Sequence, residues 1–172
     1  MTKEKGSTSG VALSHLDGEG KARMVDITGK EPTVREAVAA GKVVMHPKTL
    51  SLIEGENVPK GDVLGVARIA AFMAAKKTGD LIPMCHPLEL TGIDIAFRTD
   101  AEKGEITIEA SVRTVGRTGV EMEALTAVSA AALTIYDMCK AVDRNMRITD
   151  IMVLAKTGGK SGTYKRPVER AQ

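Results

Sequence analysis

The stretch from Thr118 to Val142, TGVEMEALTAVSAAALTIYDMCKAV, constrains this chain most, because Ala124 through Tyr136 carry no charged residue. At about 100° per residue, Leu125, Val128, Ala132, Ile135, Cys139 and Val142 fall on one side of a helix, the spacing of a stripe that packs on a core. The opposite side holds Glu123, Thr126, Ala130, Leu133, Thr134, Asp137 and Lys140. A solvated face of that length would ordinarily carry several Lys or Glu, so its small neutral residues predict that this side is covered too. Asp137 and Lys140 then stand one turn apart at the rim of something enclosed. Partial burial makes pKa values movable there, as a general acid or base requires. Taken alone, such a pair is more often an ordinary helical ion pair.

A core for this helix has to be aliphatic, since aromatics are 2% of the 172 residues and Trp is absent. With 43% hydrophobic and 27% charged residues the chain reads as one soluble domain that folds without disulfides or metals. The same shortage of aromatics argues against base-stacking platforms, and a net charge of +2 is too mild to announce nucleic-acid binding, although the basic residues thicken toward the C-terminus. Cys85 and Cys139 lie far apart, the N-terminus has no apolar targeting segment, and no run reaches the roughly 18 apolar residues of a membrane span. A reduced, cytoplasmic protein is expected.

Residues 1–20, rich in Gly, Ser, Lys and Glu and containing His15, read as a mobile arm. A catalytic domain over 21–156 follows, and then a mobile Gly- and Lys-rich segment over 157–172. Met24 to Ile27 reads as a short extended segment. Pro32 and Thr33 followed by Val34, Ala37 and Val38, with Gly41 as stop, predict a short helix, and Lys42 to Met45 a short strand. Pro47 to Glu54 predicts another helix. Asp62 is a suitable N-cap for the helix VLGVARIAAFMAAKKTG, with Val66, Ile69, Ala70 and Met73 on its core face and Gly79 as its stop. That leaves Lys60 on a loop at the positive end of the helix, a corner suited to phosphate.

Two prolines bracket Met84, Cys85 and His86 in LIPMCHPL, ruling out a helix interior and displaying one imidazole on a stiff apolar loop. Cys85, His86 and His46 lack the spacing of a zinc site, and no metal is expected. Gly92 to Thr99 and Glu105 to Val115 alternate polar and apolar residues around the turn DAEKGE, an antiparallel hairpin. Arg113, Arg117, Glu121 and Glu123 gather near its junction with the central helix. Ile148 to Ala155 predicts a last strand, and the chain ends in the Gly-rich, basic KTGGKSGTYKRPVERAQ. Helices and strands mix without strict alternation, which predicts an α+β fold of helices on a mostly antiparallel sheet.

The stretches MVDIT at Met24, KGDV at Lys60, LIPMCHPL at Leu81, TGVEMEALTA at Thr118, IYDMCKA at Ile135 and GGKSG ending at Gly162 are long and collinear. They resemble the cyclic pyranopterin monophosphate synthases, the protein C family of molybdenum cofactor biosynthesis, which often has Leu where this chain has Met84. The resemblance implies a phosphorus–oxygen lyase that acts on a cyclised dihydroguanosine triphosphate, closes a cyclic phosphate and expels pyrophosphate. By likeness, Asp137, Lys140 and Lys60 are catalytic, and Met84, Cys85, His86, Glu121, Met122, Glu123, Arg113, Lys156 and Lys160 contact the substrate. It further implies a ferredoxin-like fold and a hexamer built as a trimer of dimers with sites at the dimer interface. No cofactor is implied, and whether Mg²⁺ accompanies the triphosphate stays open. The competing reading is a non-catalytic module that binds a nucleotide or RNA through the basic tail and the hairpin face. It predicts steep salt dependence and tolerance of changes at Asp137.

Overall fold

In the computed structural model, Lys21 and residues 23–167 are described; the expected arm over 1–20, with His15, lies outside them. The elements are β1 (Thr33–Val44), α1 (Pro47–Glu54), α2 (Val63–Lys76), a single-turn α3 (Thr78–Leu81), β2 (Leu90–Asp100), β3 (Glu105–Gly116), α4 (Glu121–Cys139), β4 (Arg147–Thr157) and β5 (Tyr164–Lys165). The strands form one sheet in the order β2-β3-β1-β4-β5, and every neighbouring pair is antiparallel. β3 slots between β1 and β2, and β1 between β3 and β4. The chain thus traces two interleaved split βαβ units, the ferredoxin-like arrangement, with α2 and α4 packed on the sheet.

The hairpin forms where the alternation requires it: Ile106, Ile108, Ala110 and Val112 of β3 are fully buried beneath the helices. α4 lays Val128, Ala132, Ile135 and Cys139 on the same core. Fully burying a side chain such as Ile135 contributes roughly 1.5–3 kcal/mol.

The expected helix over Pro32–Gly41 is instead the first part of β1, continuous with the expected short strand at Lys42. Its buried residues are Ala37, Ala39, Gly41 and Val43, a period of two. α4 rides so closely on this strand that a Cβ at Gly41 would stand 2.6 Å from Val128 Cγ1 and 3.0 Å from Ile151 Cγ1. Gly41 therefore permits helix contact on the strand rather than ending a helix.

α2 begins at its Asp62 cap, which accepts from the Gly65 N–H at 2.8 Å, but it is rotated from the expected orientation. Val63, Ala67, Ala71 and Ala75 face inward, while Val66, Ile69 and Met73 are exposed, the last two at 57% each. Small residues win because α2 must approach α4, which answers with buried Ala124, Ala127 and Ala131. α2 also stops earlier, at Lys76. Gly79 lies within α3, where a Cβ would press on the Pro87 backbone at 3.2 Å.

The expected cover over the second face of α4 is partial within one chain: Glu123 is buried and Thr126, Ala130 and Thr134 are half-buried, but Leu133 is 61% exposed, and Asp137 and Lys140 are exposed rather than partly buried. Val142 lies beyond the helix and is exposed. At the C-terminal end, Lys156 belongs to β4, and Tyr164 and Lys165 pair with it as β5, so that part of the tail is held by the sheet. Among the described residues no helix is long and apolar enough to cross a membrane.

Candidate active site

α2 runs back along α4, which sets two groups of side chains at opposite ends of the pair. At the start of α2, Lys60 reaches the last turn of α4, donating to Asp137 Oδ2 at 2.7 Å and to the Asp137 carbonyl at 3.0 Å. Lys140 donates to the other oxygen, Oδ1, at 2.7 Å. An ammonium placed at helix carbonyls without intrahelical partners is favoured by the helix dipole. The Lys140 and Lys60 ammonium groups hold the Asp137 carboxyl down at about 2. The same contact raises Lys140 above the ordinary lysine value. The side chain of Asp137 is 56% exposed, so its shift comes from the lysines and not from the partial burial expected. The cluster is an ionised carboxylate orienting two cations, open to solvent within a single chain.

At the other end, the loop after α3 brings Met84, Cys85 and His86 beside the first turn of α4. With Glu121, Met122 and Glu123 they line a cleft of about 530 Å³. Val120 at the N-cap of α4 offers no side-chain acceptor, and Glu121 and Glu123 supply negative charge in the first turn. Glu123 is only 3% exposed, and burial followed by the Glu121 charge pushes its carboxyl up against the lowering by its own backbone N–H. Burial, with the charge of Glu123, also raises the Cys85 thiol, the opposite of the shift that activates a nucleophile. Residues Val25 and Ile27 close the cleft on the far side.

A second cleft of about 650 Å³ adjoins the first and is basic. Lys30, Arg35, Arg117 and Lys160 line it against one carboxylate, Glu31. Arg35 is fixed by donating from Nε to the Gly116 carbonyl at 2.8 Å and from Nη2 to the Arg117 carbonyl at 3.1 Å. Lys156 ties the two regions together: its ammonium is 3.3 Å from Glu121 Oε1 and donates to Ser161 Oγ at 2.6 Å. Gly158 and Gly159 both take positive φ, 87° and 73°, folding the chain from β4 back toward Arg35 so that Lys160 and Ser161 reach the cleft.

Of the residues singled out in the sequence, Lys60, Asp137 and Lys140 thus form one group, and Met84, Cys85, His86, Glu121, Met122 and Glu123 another. Lys160 stands in the basic cleft and Lys156 at its border. Arg113 lines neither cleft; it pairs with Asp94 at 2.7 Å on the sheet. Lys30 and Arg35 were not legible. Lys30 sits in an ordinary turn, and Arg35 falls in the strand that reads as a helix. Its outward alternation against Ala37 and Ala39 was the usable signal. Among the described residues no three His, Cys, Asp or Glu side chains converge as metal ligands.

Asp137 comes sixteen positions after Glu121 on α4, roughly 24 Å along the axis. Within one chain the two carboxylate groups therefore stand a helix length apart.

Comparison with known proteins adds a consistent result. A family model described as the MoaC family matches residues 24–159. A protein of Pelotomaculum thermopropionicum named cyclic pyranopterin monophosphate synthase is 64% identical over 159 residues, covering 92% of this chain and 94% of its own length. Proteins of the same name from Thermoanaerobacter sp. (strain X514) and Heliobacterium modesticaldum are 58% and 59% identical, covering 91% and 90% of this chain and 99% and 97% of their own.

Proposed function

The chain belongs to the MoaC family, and on that premise we propose that it is the lyase of molybdenum cofactor biosynthesis that turns a cyclised dihydroguanosine triphosphate into cyclic pyranopterin monophosphate, releasing pyrophosphate. The observation that carries the chemistry is Asp137 held at about 2 between Lys60 and Lys140. A carboxylate ionised at any working pH keeps two ammonium groups oriented, and these are the proton donors and, once deprotonated, the acceptors of a general acid–base reaction. At the far end of α4, Glu121 and Glu123 offer acceptors to the N–H groups of the heterocycle, His86 adds an imidazole, and Met84, Cys85 and Met122 supply apolar surface. No resident cofactor enters this reading, and any Mg²⁺ would arrive with the triphosphate.

The roughly 24 Å between the ends of α4 favours a site shared between two copies, one giving the Lys60–Asp137–Lys140 group and the other the cleft. Exposed Val66, Ile69, Met73 and Leu133 are the apolar surface such a dimer would cover, and family likeness extends it to a hexamer of three dimers. The unpaired cysteines Cys85 and Cys139 suit a reducing, cytoplasmic setting. The direct test is incubation with the cyclic triphosphate and assay for pyrophosphate, which should appear in step with the pterin product. Mixed chains carrying His86→Ala and Asp137→Ala should recover about a quarter of wild-type turnover after exchange, because half the dimers then hold one intact site of two. No recovery after proven exchange would refute the shared site.

A further inference from the structure

Asp143 stands just past the end of α4 and gathers donors from two parts of the chain. Its Oδ2 accepts from the His46 N–H at 2.9 Å and from Thr49 Oγ1 at 3.2 Å, both at the start of α1, and its Oδ1 accepts from the Asn145 N–H at 2.9 Å. Donation by the His46 N–H holds this carboxyl below its ordinary value, against the opposing pull of partial burial. Thr49 is 4% exposed, so one side of the contact is shut from water. The His46 side chain completes the corner, its Nδ1 accepting from the Lys48 N–H at 3.2 Å as the cap of α1. Asp143 lines neither cleft.

This contact closes a circuit through the lysine–aspartate group. On one side, Lys140 caps α4 three positions before Asp143, and the Val142 and Asp143 N–H groups fold onto the Cys139 carbonyl at 2.9 and 3.0 Å. Lys140 is thus held between the helix and Asp143. On the other side, α1 carries the chain away from His46 and Thr49 and delivers it to Lys60. Leu50 and Ile53 bury the inner face of α1. The loop that follows is folded back on the helix: the Gly55, Glu56 and Asn57 N–H groups donate to the Ser51, Ile53 and Leu52 carbonyls, and Val58, 4% exposed, accepts from the Gly61 N–H at 2.9 Å. A shift at the start of α1 is therefore carried on to Lys60, because no slack segment lies between to absorb it. Lys60 in turn must meet Asp137 Oδ2 at 2.7 Å.

Resting on the proposed reaction, we infer that Asp143 is a positioning residue for it, tying α1 to the exit of α4 so that Lys60 and Lys140 stand on the two oxygens of Asp137. Asp143→Asn is the sharpest variant. It keeps the shape, yet either orientation of the amide sets an NH₂ against a backbone N–H, of His46 or of Asn145, that cannot turn away. It should lower kcat about tenfold, within what a displacement of about 1 Å can cost, and change KM by less than about twofold. Thr49→Val removes one donor at nearly constant volume; it should cause a smaller loss of kcat and add nothing in the Asp143→Asn background, since both act through one contact. Carboxyl NMR of Asp137 reads the positioning without turnover: its midpoint should climb from about 2 to about 3 in Asp143→Asn as Lys60 withdraws. A midpoint still at the wild-type value overturns the role, and so does an unchanged kcat or a KM that rises as much as kcat falls. If Asp143→Asn does not fold, Thr49→Val carries both measurements with the same criteria. A wild-type chain that leaves the cyclic triphosphate intact overturns the proposed reaction instead, and the Asp137 midpoint then still decides whether Asp143 places Lys60.

Discussion

The two ends of α4 carry carboxylates driven in opposite directions. Asp137, exposed at the C-terminal end, is pushed down by two lysines, whereas Glu123, enclosed at the N-terminal end, is pushed up by burial. One helix supplies an anion that stays ionised and a carboxyl that resists ionisation, a division of labour seen wherever one site needs both. Local surroundings rather than residue type set the chemistry. At the exposed end those surroundings are two side chains, so a single substitution can undo them.

The largest effect should come from that end. Asp137→Asn keeps shape and hydrogen bonding but frees both lysines, and turnover should fall by about 10³-fold, within the range for general acid–base groups. Folding stability at neutral pH should hardly move, as is usual for exposed sites. Near-normal turnover would end the view of this cluster as the catalytic end. The pH response carries its own sign: the folded pKa of about 2 lies below the ordinary 3.8, so the Asp137 contribution to stability is present above the unfolded value and lost as pH falls through about 2.

Next in size is the contact thought to bring the ends of two helices together. Ile69→Glu with Met73→Glu places charge on the exposed stripe of α2 and should yield monomers by light scattering, with turnover down about 100-fold, because like charges facing across an interface are costly. Active monomers would show that one chain holds the whole site.

Glu123→Gln should then sharpen the contrast at the enclosed end. Turnover should fall about tenfold or more, while stability at pH 8 should rise by about 1 kcal/mol, the order of an imperfectly compensated buried polar group. A raised carboxyl makes the folded state bind more protons than the unfolded one. Wild-type stability should therefore fall as pH climbs through the folded pKa of Glu123, and the Gln variant should lack that slope in urea titrations between pH 4 and pH 8. A variant no more stable than wild type at pH 8 would mean that burial costs this carboxyl little.

The smallest effect belongs to Lys160, exposed on the segment after β4. Lys160→Ala should slow turnover only several-fold and leave stability unchanged, since it buries little surface. Trypsin cleavage after Lys160 should slow when pyrophosphate is bound; an unchanged rate would remove this segment from the substrate contacts.

The hairpin, the central helix and the residues at both of its ends were legible in the sequence, because alternation and helical spacing are local patterns and the motifs around them are contiguous. β1 was not. TVREAVAAGKVV is short, small and apolar enough to fit either period, and its strand form is fixed by partners far along the chain, Thr33 opposite Gly116 and Glu36 opposite Thr157. With β1 misread, Arg35 and the basic cleft stayed hidden. The face of α2 was misjudged because larger side chains signal a core, whereas close helix packing selects alanine. Sequence determined which residue types carry the chemistry; tertiary structure alone decided that Lys60 meets Asp137 across 77 residues and that His86 and Glu121 stand a helix length away. Distance through space is set by packing, on which residue spacing is silent.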